Sequence, residues 1–73
     1  MKIKGKVVYQ KLSGGFWGII DEKGREWRPV NMPEQLKQEG KEVSLKAKEV
    51  EEGMSIFMWG TPIRILTFQT FTP

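Results

Sequence analysis

The chain contains no cysteine and no histidine. Their absence excludes disulfides, thiol nucleophiles, zinc sites built from Cys or His, and every Ser-His or Cys-His dyad. Long apolar runs are missing as well. None approaches the ~20 residues of a membrane-spanning helix, and no ~7–15-residue apolar stretch follows the first lysines as it would in an export signal. The expectation is a cytoplasmic chain that engages no membrane. There is no internal repeat, no low-complexity segment and no linker in the 73 residues. A second core does not fit in that length, so residues 1–73 are expected to form one domain, with a barrel over about 2–66 and a tail at 67–73.

Net charge is modest: 12 Lys+Arg against 9 Asp+Glu, net +3. Its distribution is more informative. Lys2, Lys4, Lys6 and Lys11 stand among the first 12 residues with no acid, whereas residues 21–52 hold seven bases and nine acids. From Gly53 onward the one charge is Arg64. A basic end of this kind faces either a phosphate backbone or solvent, where lysines blunt a strand edge.

Turn signals recur at roughly 8–12-residue intervals, the spacing of a small all-β domain: Ser13-Gly14-Gly15, Glu22-Lys23-Gly24, Glu39-Gly40, Glu51-Glu52-Gly53 and Thr61-Pro62. The first strand is expected over residues 3–12, bent near Gly5 and serving two neighbours, because Ile3, Val7 and Tyr9 share one face while Val8 and Leu12 lie on the other. Residues 16–21 are apolar on both faces and read as a central strand. Asp21 to Gly24 make a tight turn into a third strand over 25–30, which Pro29 should end or place on an edge.

The helical signal is confined to residues 31–38, with Asn31 as N-cap, Pro33 in the first turn, Met32 and Leu36 inward, and Gly40 as the stop; the helix is expected at 33–38. Residues 41–50 alternate cleanly, with Val43, Leu45 and Ala47 in and Glu42, Ser44, Lys46 and Lys48 out. A fifth strand is expected at 55–61, interrupted by Pro62. The expected core is Val7, Ile19 or Ile20, Leu36, Val43, Leu45, Ile56 and Met58. Strand, strand, strand, short helix, strand, strand is the order of a small five-stranded OB-like barrel with one short helix between strands three and four. An SH3-like barrel is the alternative and lacks the helix at that place.

Several stretches together carry a resemblance: Gly14-Gly15-Phe16-Trp17-Gly18-Ile19-Ile20, the Gly24 turn, Pro29-Val30-Asn31-Met32-Pro33-Glu34-Gln35-Leu36, residues 40–43, and Ser55-Ile56-Phe57-Met58-Trp59-Gly60-Thr61-Pro62. The chain resembles small prokaryotic OB-fold-like proteins of uncharacterised function over roughly residues 5–66, most specifically at 55–62. The resemblance implies the barrel and carries no activity and no site residues.

No constellation for catalysis stands out. Asp21 and Glu22 are adjacent, as are Glu51 and Glu52, so as strand neighbours each pair points to opposite faces, unlike the convergent carboxylates of a glycosidase. No calcium or magnesium loop is present. Gly14-Gly15 precedes a strand rather than a helix, which is the wrong context for a phosphate loop. The expectation is a non-catalytic binding or interaction module with no cofactor and no metal. Its partner would be another protein or single-stranded nucleic acid. Nucleic acid would be held by Trp17 and Trp27, extended by Trp59, with Lys11, Arg25 and Arg28. Against that platform stands the need of a thin core for its large side chains.

The tail is charge-poor and apolar on both faces (Ile63, Ile65, Leu66, Phe68, Phe71) and must be covered. Residues 63–66 are expected to continue the fifth strand and close against the first. Phe68 and Phe71 would then lie over an open end of the barrel or, less economically, against a second copy in a weak homodimer. A monomer is the leading expectation.

Overall fold

The structure is a computed structural model and describes residues 1–11, 14–51 and 59–70. Five strands form it: β1 (Lys2–Gln10), β2 (Phe16–Asp21), β3 (Glu26–Pro29), β4 (Glu42–Glu49) and β5 (Thr61–Thr70), with a single 3-10 turn at Glu34–Leu36 between β3 and β4. They close into a barrel in the order β1-β2-β3-β5-β4, and β4 returns to β1. Every pairing is antiparallel except β3 with β5. The all-β barrel expected from the sequence, with its one short helical element between strands three and four, is the architecture found. Among the described residues no helix is long and apolar enough to cross a membrane.

β1 serves two neighbours, as its pattern implied. Residues 2–6 pair with β4 and residues 5–10 with β2, so Gly5 faces both Asp21 and Val43. A methyl group at Gly5 would stand against the Ile20 carbonyl and the Asp21 backbone, which is why the crossover point has no side chain. The inward face does not switch along the strand. Ile3 and Val7 are buried, and Tyr9 on the same face emerges at the rim.

The core joins Ile3, Val7, Ile19, Trp27, Leu36, Val43, Leu45, Ala47, Ile63 and Ile65, with Trp17, Met32 and Phe68 packed against it. Val7, Ile19, Leu36, Val43 and Leu45 are thus where the sequence put them. Ile56 and Met58 lie outside the described residues, as does Phe71.

Three local expectations are corrected. The helix shrinks from 33–38 to one 3-10 turn, closed by Leu36 N–H on Pro33 O (3.0 Å) and Lys37 N–H on Glu34 O (3.1 Å). Asn31 does not cap it. Its side chain accepts from the Ile65 N–H (2.8 Å) and donates to the Ile65 carbonyl (3.0 Å), so the amide that would start a helix is engaged by β5 instead. A segment this short gains little from helix propagation, and burial of Leu36, at 0% exposed, dominates its placement.

The third correction concerns the fifth strand. Its continuation past Pro62 is as expected, since β5 runs over Thr61–Thr70, and the part of the expected strand at 55–58 lies outside the described residues. Pro62 is tolerated because it is the second residue of the strand, where the ladder is only starting, and its carbonyl accepts from Val50 N–H at 3.1 Å. The strand that closes the barrel on β1 is β4. β5 lies between β4 and β3, because β1 has already spent its second edge on β4. A bulge at Lys46/Ala47 against β5 leaves both Leu66 and Thr67 outward and restores the inward phase for Phe68.

Candidate functional site

β2 and β3 carry most of the residues singled out in the sequence, and the structure separates them. Ile19 faces Trp27 across the pair, which places Gly18 beside Arg28 on the outer side. Trp27 points inward and is 6% exposed. Its indole N–H donates to Asp21 Oδ2 at 3.0 Å. Asp21 Oδ1 in turn accepts the backbone N–H groups of Lys23 (2.8 Å) and Arg25 (2.9 Å), so one carboxylate organises the β2–β3 turn. These bonds, the one from Trp27 foremost, hold the Asp21 carboxyl below the usual aspartate value, against a smaller opposing effect of desolvation. Arg25 is exposed at the same turn.

Arg28 is on the outer side yet only 6% exposed. Its Nε donates to the Trp59 carbonyl at 3.3 Å. Trp59, 9% exposed, lies over Gly18 and meets Phe16 with ring centroids 5.6 Å apart at 58°. Trp59 thereby covers the outer side of β2 at Gly18 and of β3 at Arg28. That cover fits only because residue 18 lacks a side chain.

Trp17 is half-buried at the opposite rim from the Asp21 turn. It meets Tyr9 edge-to-face, with centroids 5.0 Å apart at 63°. Lys11 is exposed just beyond β1.

The six candidates therefore do not make one platform. Trp27 belongs to the core, Trp59 and Arg28 to the outer cover, and Arg25 to the turn. Trp17 and Arg28 do share a cleft of about 540 Å³ that wraps the start of β2 and the end of β3. Its other walls include Phe16, Val30, Met32 and Lys37, none of which the sequence marked as site residues. Val30 is 41% exposed and follows directly on β3. The signal for it was an apolar residue just after a strand-ending proline. Nothing in the sequence tied it to Lys37.

The cleft offers aromatic and aliphatic contact, one guanidinium and one ammonium. Lys37 is also within 2.8 Å of Glu34. Among the described residues no group of three or more Asp, Glu, His or Cys is close enough to hold a metal ion. Comparison with protein-family models, curated proteins and solved structures finds no match for this chain.

Proposed function

We propose that the chain is a non-catalytic binding module on an OB-like barrel, cytoplasmic and monomeric, with the cleft at the start of β2 and the end of β3 as its ligand site. The observation that supports it most is the cleft itself, in which Phe16, Trp17, Val30 and Met32 stand beside the polar groups of Arg28, Asn31 and Lys37, so that apolar contact and hydrogen bonding converge on one concave surface. Five-stranded barrels of this order bind ligands on the strand-two and strand-three side, and the cleft lies on that side, beside the surface that Trp59 covers.

A second reading narrows the ligand to single-stranded nucleic acid. It is favoured by the Tyr9–Trp17 pair at the rim, with Lys11 just beyond it, since stacked rings beside cations are how such strands are held. Titration with a short oligothymidylate at low salt tests it. Trp17 is the most accessible of the three tryptophans, so binding should quench emission, reverse with salt and disappear in Trp17→Phe. Quenching that survives Trp17→Phe unchanged excludes this reading. The broader one is tested by amide shift mapping with the oligonucleotide and with a mixture of small aromatic acids. Shifts should concentrate at Phe16, Trp17 and residues 30–32. Shifts confined to other strands would mean that the cleft is not the site.

A further inference from the structure

The barrel brings together cations that are far apart in the chain. Lys2 on β1 is the direct cross-strand partner of Lys46 on β4. Lys48 on β4 is the direct partner of Arg64 on β5. All four are exposed, on the outer side of the barrel. Lys46 and Lys48 are two residues apart on one strand, so their side chains rise from the same face at a spacing of about 6.8 Å. Like charges directly opposite one another destabilise a sheet. Two such pairs side by side, sharing β4, have no folding rationale. Among the described residues, no carboxylate forms an ion pair with any of the four.

The nearby acids sit at the margins. Glu42 opposes Lys6 at the far end of the β1–β4 ladder, Glu22 is 3.7 Å from Lys4, and Glu49 is the last residue of β4. Between Lys2 and Lys46 the surface dips into a hollow of about 350 Å³ whose polar lining is completed by Ser44, Thr67 and Gln69.

We propose that the outer face of β1, β4 and β5 is a contact surface for the phosphate backbone of nucleic acid, with Lys2, Lys46, Lys48 and Arg64 as the cations. The chemistry selects this partner. Lysines are compact point charges suited to phosphate. Hydroxyl and amide side chains such as Ser44, Thr67 and Gln69 are the polar groups that bond phosphate oxygens. The one ring at the hollow, Phe68, is half-buried against the core, so contact is with the backbone rather than with bases, and it is independent of sequence. An anionic bilayer fits less well, because among the described residues the outer side of these strands offers only Leu66, with Met1 before β1, as exposed aliphatic side chains for insertion. The proposal is independent of the cleft: β4, the middle strand of this face, shares no ladder with β2 or β3.

A fluorescein-labelled DNA duplex of random sequence separates the two surfaces, because its paired bases cannot stack on Tyr9 and Trp17. Anisotropy at low salt should show binding by the intact chain that weakens steeply as salt rises. Lys46→Gln combined with Lys48→Gln should bind roughly tenfold more weakly and lose about one unit of salt slope per lysine. Trp17→Phe should bind the duplex like the wild type. A melting temperature at or above wild type, expected from relief of the like-charge pairs, shows that the loss is not one of folding. The proposal is overturned if the wild type does not bind the duplex, or if the double variant binds it as tightly with the same slope. It also falls if the chain binds phosphatidylserine vesicles but not the duplex. Loss of duplex binding in Trp17→Phe would instead assign the contact to the cleft.

Discussion

The indole N–H of Trp27 donates to the Asp21 carboxylate across 3.0 Å, so the largest ring of the core is anchored by the residue that shapes the β2–β3 turn. One side chain thereby couples a local feature, the turn closed by Gly24 N–H on Asp21 O at 3.0 Å, to the packing of the barrel interior.

This coupling predicts a pH dependence. The folded carboxyl titrates below its ordinary 3.8. A depressed carboxyl contributes stability that is present above the unfolded value and is lost as pH falls through the folded one. The wild type should therefore lose stability on acidification below 3.8, and Asp21→Asn should be less stable at neutral pH but flatter in acid. Asn has one acceptor oxygen, so its NH2 must face a donor, either the indole or the Lys23 and Arg25 amides. Urea midpoints at about pH 6 and about pH 2.5 measure the difference. Parallel curves for the two proteins would show that the Asp21–Trp27 bond does not contribute.

Gly18→Ala should displace Trp59, since the added methyl would stand inside the indole ring. Overpacking of this kind costs about 1–3 kcal/mol. The Phe16–Trp59 contact and the Arg28 bond to the Trp59 carbonyl would be disturbed together. Chemical denaturation should show the loss, and tryptophan emission should shift to the red as Trp59 gains water. An unchanged spectrum with unchanged stability contradicts the placement of Trp59.

Asn31→Ala removes both hydrogen bonds to Ile65. Asn31→Asp keeps the acceptor for the Ile65 N–H but sets an oxygen against its carbonyl. Each should cost about 1–3 kcal/mol, and each kilocalorie corresponds to roughly 4–8 °C in melting temperature for a domain of this size. Faster hydrogen exchange at the Ile65 amide, ahead of its β4 neighbours, is the local signature. Equal exchange in all three proteins would mean that Asn31 does not hold β5.

Deleting residues 67–73 tests the end of β5. It removes the pairs Val43–Thr70, Ser44–Gln69, Leu45–Phe68 and Lys46–Thr67. It also takes away Phe68, which packs against the core. Phe68→Ala alone should cost about 1–3 kcal/mol, and the truncation more. A truncated chain that melts where the full chain does would place these residues outside the barrel.

Much of the barrel is legible in the order of the residues. Alternation in 41–50 put Val43, Leu45 and Ala47 inside, because a strand with one buried face has no other way to place them. Turn residues located the β2–β3 turn and the end of β3. Position in the chain also placed the short helical element between β3 and β4. The short-range rule failed at Asn31. An N-cap is a local tendency, and it was overridden by a backbone partner far along the chain, Ile65.

The surfaces were decided by tertiary structure. Sequence spacing could say that Arg28 faces away from Trp27. It could not say that a tryptophan from beyond β4 would bury that outward side, since this depends on Trp59 meeting Gly18 on the outside of the barrel. Likewise Lys46 and Lys48 lie in a segment of net negative charge, and nothing local sets them against Lys2 and Arg64. Closure of β4 between β1 and β5 does, because ladder register, not sequence proximity, determines which charges become neighbours.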